Sequence, residues 1–481
     1  MSMINSTKKR LANEVFDKIH AVNTNVIKEM LEKELADLNK KIVVLDDDPT
    51  GVQTVHDISV YTDWSVDSLN KGFAEQNSMF FILTNSRGFT EAETEKAHVE
   101  IAENVLEVSK KNNKDFIIIS RGDSTLRGHY PLETKVLKET IESSSETKFD
   151  GEVILPFFKE GNRFTIDNIH YVQNEDYLVP AGETEFAKDR TFGYTKSHLG
   201  EWAEEKSNGE FKAEDTTYIS LEKLRALEIE KITNQLLEVS DFNKVVVNAV
   251  DYVDVEIFVI SLIKAMKAGK RFMVRSGAAL TKVIGGVRDK GLLTRDELIK
   301  EEVNHGGLII VGSHVKKTTE QLEELKKCDF IEFVEFNVHL VLHPEQFKAE
   351  TDRVIETSEN LIRSGKTVAI YTKRERLDLG EDKQEEELKL SVQISEAVTS
   401  IVQRLKVRPS YIVAKGGITS SDIRTNGLEV QRSTVAGQIK PGIPVWFTGE
   451  ESKFPSISYI IFPGNVGTKD ALKETVEILD K

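Results

Sequence analysis

Ser120–Tyr130 reads SRGDSTLRGHY, the densest run of chemically useful side chains in the chain. Arg121 and Arg127 offer planar guanidinium forks that match a carboxylate or a phosphate. Asp123 can orient a hydroxyl or accept its proton, and Gly122 and Gly128 permit tight backbone geometry. The segment follows Phe116-Ile117-Ile118-Ile119, a β-branched run of the kind that forms a buried parallel strand. Ligands of open α/β sheets sit at the carboxyl ends of strands, which makes this stretch a candidate site. The plainer reading is a surface turn closed by a salt bridge. Two further apolar runs end alike: Ile42–Leu45 opens into Asp46-Asp47-Asp48-Pro49-Thr50-Gly51, and Phe80–Leu83 into Thr84-Asn85-Ser86-Arg87-Gly88. Three successive acids repel one another unless they bind a cation, pair with arginine or share a proton. A helix cap would need only one of them.

The second half of the chain carries a different chemistry. Val311-Gly312-Ser313-His314, Lys415-Gly416-Gly417-Ile418-Thr419-Ser420 and Pro463-Gly464-Asn465-Val466-Gly467 each follow an apolar strand. Backbone amides in such loops, and at the helix starts after them, cradle phosphates without charged side chains. Neither GxxxxGK[ST] nor a strand-linked GxGxxG is present, so ordinary P-loop and dinucleotide readings are weak. Tight turns or helix caps are the alternative. His56, His129, His170 and His314 lie near the candidate loops, but no pair has the spacing of a metal site, and no resident metal is expected.

The elements that must position these residues form two series of strand, loop and helix. Residues 1–40 show apolar positions at three- and four-residue spacing, which predicts two amphipathic helices packed on a neighbour or on a second subunit, the latter making a homodimer. Strands are expected near 42–45, 58–61, 80–83, 116–119, 152–155 and 244–249, and again near 308–311, 331–335, 367–371, 411–414 and 458–462. The predicted organisation is a helical extension (1–40), a first α/β domain (41–285) and a second (305–481), both with mainly parallel sheets and with a cleft between the domains. The 481 residues allow two or three domains. A net charge of −16 argues against a nucleic-acid partner. One cysteine, Cys328, suits a reducing compartment. No apolar run approaches the roughly 20 residues of a membrane span, and no apolar stretch follows Lys8-Lys9-Arg10 as a signal peptide requires. A cytoplasmic protein is expected.

Several segments match one family in order. Asp47-Asp48-Pro49-Thr50-Gly51, Thr84-Asn85-Ser86-Arg87, Asp123-Ser124-Thr125-Leu126-Arg127-Gly128 and Pro156 through Val172 do so in the first half. Gly312-Ser313, Gly416-Gly417-Ile418-Thr419-Ser420, Pro441-Gly442-Ile443-Pro444-Val445-Trp446 and Phe462-Pro463-Gly464-Asn465-Val466-Gly467 do so in the second. On these segments the chain resembles the four-carbon acid sugar kinase family, which phosphorylates tetronates such as threonate, erythronate or 3-oxo-tetronate with ATP. The resemblance implies that the N-terminal domain binds the sugar acid and the C-terminal domain binds ATP with Mg²⁺. It places acid contacts at Asp48, Arg87, Asp123 and Arg127, and Asp47, Ser124 and His170 are further candidate substrate contacts; which aspartate is the base is open, with Asp123 preferred and Asp48 second. It places nucleotide contacts at Ser313, Gly416, Gly417, Ile418, Thr419 and Gly464, and the glycine loops add Gly312, Asn465 and Gly467. The chain departs from the family pattern at His129, after STLRG, and at Val315.

Two other functions fit parts of the pattern. Asp46-Asp47-Asp48-Pro49-Thr50 and Thr84 meet the first motifs of a haloacid-dehalogenase-type phosphatase, with Asp46 as nucleophile and Asp48 as acid/base. That reading lacks a completed metal loop and leaves the three glycine loops idle. A two-domain sugar-acid sensor that closes without transferring phosphate is the other.

Overall fold

The computed structural model describes residues 9–48, 51–299, 304–312, 315–375, 384–464 and 466–480, without the side chains of 384–388 and 418. Two compact units emerge, one of residues up to Val55 with Asp63–Arg288, the other of His56–Thr62 with Asp289 onward.

Among the described residues the first unit is built on seven parallel strands. In spatial order they are Thr217–Ile219, Asn243–Val247, Gly151–Leu155, Phe272–Ser276, Phe116–Arg121, Lys41–Asp46 and Met79–Leu83. Every residue of the Lys41–Asp46, Met79–Leu83 and Phe116–Arg121 strands is buried. Parallel strands covered on both faces must be apolar throughout rather than alternating. The helix Tyr252–Lys267 is apolar on nearly every side and correspondingly buried. Helix Thr24–Ala36 packs against it through Ile27 and Leu31, 0 % and 7 % exposed, and Lys267 reaches Glu34 at 2.7 Å. The apolar stripe that the sequence left for a neighbour or a second subunit is therefore spent on the chain's own unit. A smaller antiparallel sheet joins Arg10–Leu11, Tyr177–Pro180, Ile169–Asn174 and Arg163–Ile166.

Among the described residues the second unit has eight strands, in the order Ile58–Tyr61, Arg432–Lys440, Ile443–Thr448, Ser458–Phe462, Tyr411–Lys415, Leu308–Val311, Thr367–Thr372 and Ile331–Phe336. The first four pair antiparallel and the rest parallel. The bulged hairpin of Arg432–Lys440 and Ile443–Thr448 went unforeseen, as did the small sheet of 163–180. Among the described residues no helix is long and apolar enough to cross a membrane.

Candidate functional site

The connections leaving the adjacent strands Lys41–Asp46 and Phe116–Arg121 run in opposite directions. From Lys41–Asp46 the chain goes on to Met79–Leu83 on one side, then returns to Phe116–Arg121 on the other. The crevice of an open α/β sheet opens at such a switch point, beyond the carboxyl ends of the two strands. The acids and the RGDSTLRG loop lie there because their strands end there.

The charges at this edge neutralise one another. Arg121 Nη1 lies 3.2 Å from Asp46 Oδ1 and 3.7 Å from Asp47 Oδ1. Arg87, carried by the one-turn helix Ser86–Gly88, reaches three acids: Asp47 at 3.5 Å, Asp48 in close contact, and Asp123 at 3.8 Å. Arg127 Nε donates to Asp123 Oδ2 at 2.7 Å and its Nη1 lies 3.8 Å from Asp189. The Thr125 hydroxyl and amide also donate to Asp123. These partners overcome desolvation and hold the Asp123 carboxyl down at about 2. Burial wins at Asp46 and Asp47, whose carboxyls are pushed up to about 7 and about 6 against the pull of the neighbouring arginines. The side chain of Asp48 is 29 % exposed, the most open carboxylate of the four, against 12 % for Asp123.

Asp46 cannot serve as a phosphatase nucleophile. It is 1 % exposed, it accepts a hydrogen bond from Arg121, and Gly51 seals it, since a Cβ there would overlap its carboxylate. Among the described residues no group of three or more His, Cys, Asp or Glu could hold a metal ion.

Sequence reasoning named no strand of this half beyond 244–249 and so missed Arg275, on the buried strand Phe272–Ser276. Its guanidinium contacts Glu133 at 3.2 Å, the Ser120 hydroxyl at 3.3 Å and the Arg127 carbonyl at 3.2 Å. It occupies the space that a side chain at Gly122 would need, and a Cβ at Gly128 would come within 2.9 Å of it. Gly128 also has φ +126°, a conformation that glycine alone adopts readily. The run Phe272-Met273-Val274-Arg275-Ser276-Gly277 repeats the signal of an apolar strand opening into a polar glycine loop. Asp189 and Tyr194 carried no such signal; the Tyr194 hydroxyl donates to the Thr125 carbonyl at 2.7 Å.

His170 contacts the RGDSTLRG loop. It is 0 % exposed; Nε2–H donates to the Ser124 carbonyl at 2.7 Å and Nδ1 accepts from the Thr165 hydroxyl at 3.0 Å. Burial lowers its pKa to about 4, so the ring is neutral and both nitrogens are spent on shaping the loop. It holds the Ser124 carbonyl. His129 is used similarly, with Nε2 donating to the Phe89 carbonyl at 3.0 Å and its ring 4.9 Å from that of Phe192.

In the second unit the switch point falls between Leu308–Val311 and Tyr411–Lys415, because the chain leaves the first of these toward one edge and resumes at the second on the other side. The glycine loops meet there. Gly312 lies so close to Thr419 that a Cβ would overlap its hydroxyl. Gly416 has φ +125° and starts the helix Gly417–Asp422, and nothing lies within 4 Å of a Cβ placed on Gly417. Lys415 Nζ donates to the carbonyls of Pro463 at 2.5 Å and Gly464 at 3.2 Å. Thr318 donates to the Gly464 carbonyl at 3.1 Å, and Gln321 to those of Val466 and Thr468 at 3.0 and 2.8 Å. Three loops from adjacent strands are thus laced into one edge. Ser313, Asn465 and the side chain of Ile418 lie outside the described residues.

Comparison with known proteins agrees with this division. The model of a sugar-binding N-terminal domain matches residues 42–284, and that of a nucleotide-binding C-terminal domain matches 308–472. No curated protein matches the chain. The Haemophilus influenzae protein HI1011, of the DUF1537 family, superposes with a TM-score of 0.62 at 17 % identity, covering 91 % of this chain and 100 % of its own. A Salmonella typhimurium LT2 protein named as a tRNA synthase does so at 0.63 and 16 %, covering 90 % and 98 %. At such identity both show a shared fold. With the sugar-binding model lying on the unit that holds the acids and arginines, and the nucleotide-binding model on the unit that holds the glycine loops, this chain belongs to the four-carbon acid sugar kinase family.

Proposed function

We propose that the protein is an ATP-dependent kinase that phosphorylates a hydroxyl of a four-carbon sugar acid, such as threonate, erythronate or 3-oxo-tetronate. The observation that carries this reading is the presence of two switch-point crevices of opposite chemistry on one chain. One is lined by carboxylates held among guanidiniums, the other by glycine backbone.

A hydroxyl of the acid binds at Asp123 and Asp48. Asp123, anchored by Arg87, Arg127 and Thr125 and with a carboxyl near 2, is a weak proton acceptor and a firm hydrogen-bond acceptor, suited to orienting the hydroxyl. Asp48, the most open carboxylate, takes the proton, which reverses the order preferred from the sequence. The hydroxyl oxygen then bonds to the γ-phosphorus as the bond to the ADP oxygen breaks. Such a transfer depends on positioning and charge compensation more than on a strong base. The amides of Gly312, Gly416, Gly417 and Thr419 and the loop at Gly464 and Gly467 are the nucleotide's partners in this reading. Mg²⁺, held by the nucleotide's own phosphates, would offset their charge.

The test is a coupled ADP-release assay with ATP and Mg²⁺ against a panel of four-carbon acids. Turnover with one acid, reduced about 100-fold or more in Asp123→Asn, is expected, within the range that positioning and electrostatic contacts supply. ATP binding without turnover on any acid would favour a sensor, and absence of ATP binding would defeat the reading.

A further inference from the structure

Among the arginines of the acid crevice, Arg163 stands apart. Arg87 is committed to Asp47, Asp48 and Asp123, Arg121 to Asp46 and Asp47, Arg127 to Asp123 and Asp189, and Arg275 to Glu133. Arg163 has neither an ion pair nor a side-chain hydrogen bond among the described residues, and its Nε is sealed from solvent without a partner. Its neighbours are Asp123, Arg127 and Tyr194, and burial lowers its pKa. Retaining a partly buried guanidinium without an anion is costly.

The position is nevertheless built. Arg163 begins the strand Arg163–Ile166, and its backbone pairs with that of Phe158 in both directions, at 2.9 and 3.1 Å. A Cβ at Gly161 would come within 2.8 Å of its Nη1, so a glycine two residues earlier lets the guanidinium fold back. The guanidinium lies 5.6 Å from the centre of the Phe186 ring, and that of Arg127 lies 5.2 Å from the same ring. One aromatic side chain thus carries two cations, of which one already holds Asp123 and the other holds nothing.

We propose that Arg163 is the receptor for the carboxylate of the acid substrate. A planar fork of this kind pairs with a carboxylate through two parallel hydrogen bonds. An acid held there by one end, beside the Arg127–Asp123 pair, presents its hydroxyls to the carboxylates. The residue is then the specificity determinant for an acid over the corresponding polyol. The inference rests on the kinase reading above and assigns the carboxylate to a side chain other than Arg87 and Arg127, whose forks are occupied.

The test is calorimetric binding to the full-length protein of threonate and erythronate, and of the polyols threitol and erythritol, which carry CH₂OH in place of the carboxylate. Wild type, Arg163→Met and Arg163→Lys are compared, with ATP affinity and circular dichroism as controls. Wild type is expected to bind an acid and neither polyol. Arg163→Met should weaken the acid about 10- to 100-fold, the range for loss of a charge-assisted hydrogen bond, with ATP affinity unchanged. Arg163→Lys keeps the charge and loses the fork, and guards against a methionine variant that folds poorly. A loss of about fivefold or more is expected there. An acid affinity unchanged in both variants, or a wild type that binds polyol as well as acid, overturns the assignment of Arg163 alone. A wild type that binds ATP but neither acid overturns the kinase reading and this assignment together.

Discussion

Gly122→Ala isolates what holds the RGDSTLRG loop in place. Gly122 does not have a left-handed φ, so alanine meets no backbone penalty there. The obstacle is spatial: the new Cβ would overlap the Arg275 guanidinium. Arg275 is 5 % exposed, and moving it severs its contacts with Glu133, Ser120 and the Arg127 carbonyl. Glu133, 2 % exposed, is left beside Ser86 and His98 without its main counter-ion. Breaking a buried pair by displacing one partner costs about 3–5 kcal/mol, so Gly122→Ala should destabilise the protein by that much in urea denaturation followed by circular dichroism. Arg275→Ala alone should cost a similar amount. If the two effects share one cause, Gly122→Ala introduced into Arg275→Ala should cost below about 1 kcal/mol, because the side chain it collides with is gone. The cycle then gives a coupling of at least about 2 kcal/mol. Additivity within about 0.5 kcal/mol would mean that the glycine is needed for another reason, and the account of this loop would fail.

Two further predictions follow from buried charges. Burial raises the Asp46 and Asp47 carboxyls from 3.8 to about 7 and about 6, so the folded chain keeps protons that the unfolded chain releases. Their contribution to stability is full below about pH 4 and is lost as pH rises through about 6 to 7; Asp47→Asn should flatten that decline in a urea series across pH, and an unchanged slope would refute the assignment. Burial lowers Lys415 to about 7, so a phosphate bound at its loop would draw a proton onto it, and ATP affinity should fall as pH rises above about 7. Lys415→Met should abolish that pH dependence and weaken ATP while leaving acid binding intact; a pH profile identical to wild type would remove Lys415 from the nucleotide site.

Much of this was legible before any coordinates. A short β-branched apolar run bounded by turn residues reads as a strand buried on both faces, and a polar glycine segment directly after it marks the strand's carboxyl end. That reasoning placed Asp46–Asp48, Arg87, Asp123 and Arg127 at strand ends, and Gly312, Gly416 and Gly464 likewise, because the signal and the structure it specifies are both local. What it could not supply is who faces whom. Strand order, with Lys41–Asp46 set between Met79–Leu83 and Phe116–Arg121, brings Asp46 against Arg121 from 75 residues away, and no periodicity in either segment encodes that neighbour. The same holds for Arg275 threaded past Gly122 and for His170 spent on Ser124. The residue types and their strand-end positions were determined by sequence, since burial and backbone geometry act over a few residues. Tertiary structure alone decided which charges are paired and which guanidinium is left without an anion, because ion pairing and desolvation depend on neighbours that only packing brings together.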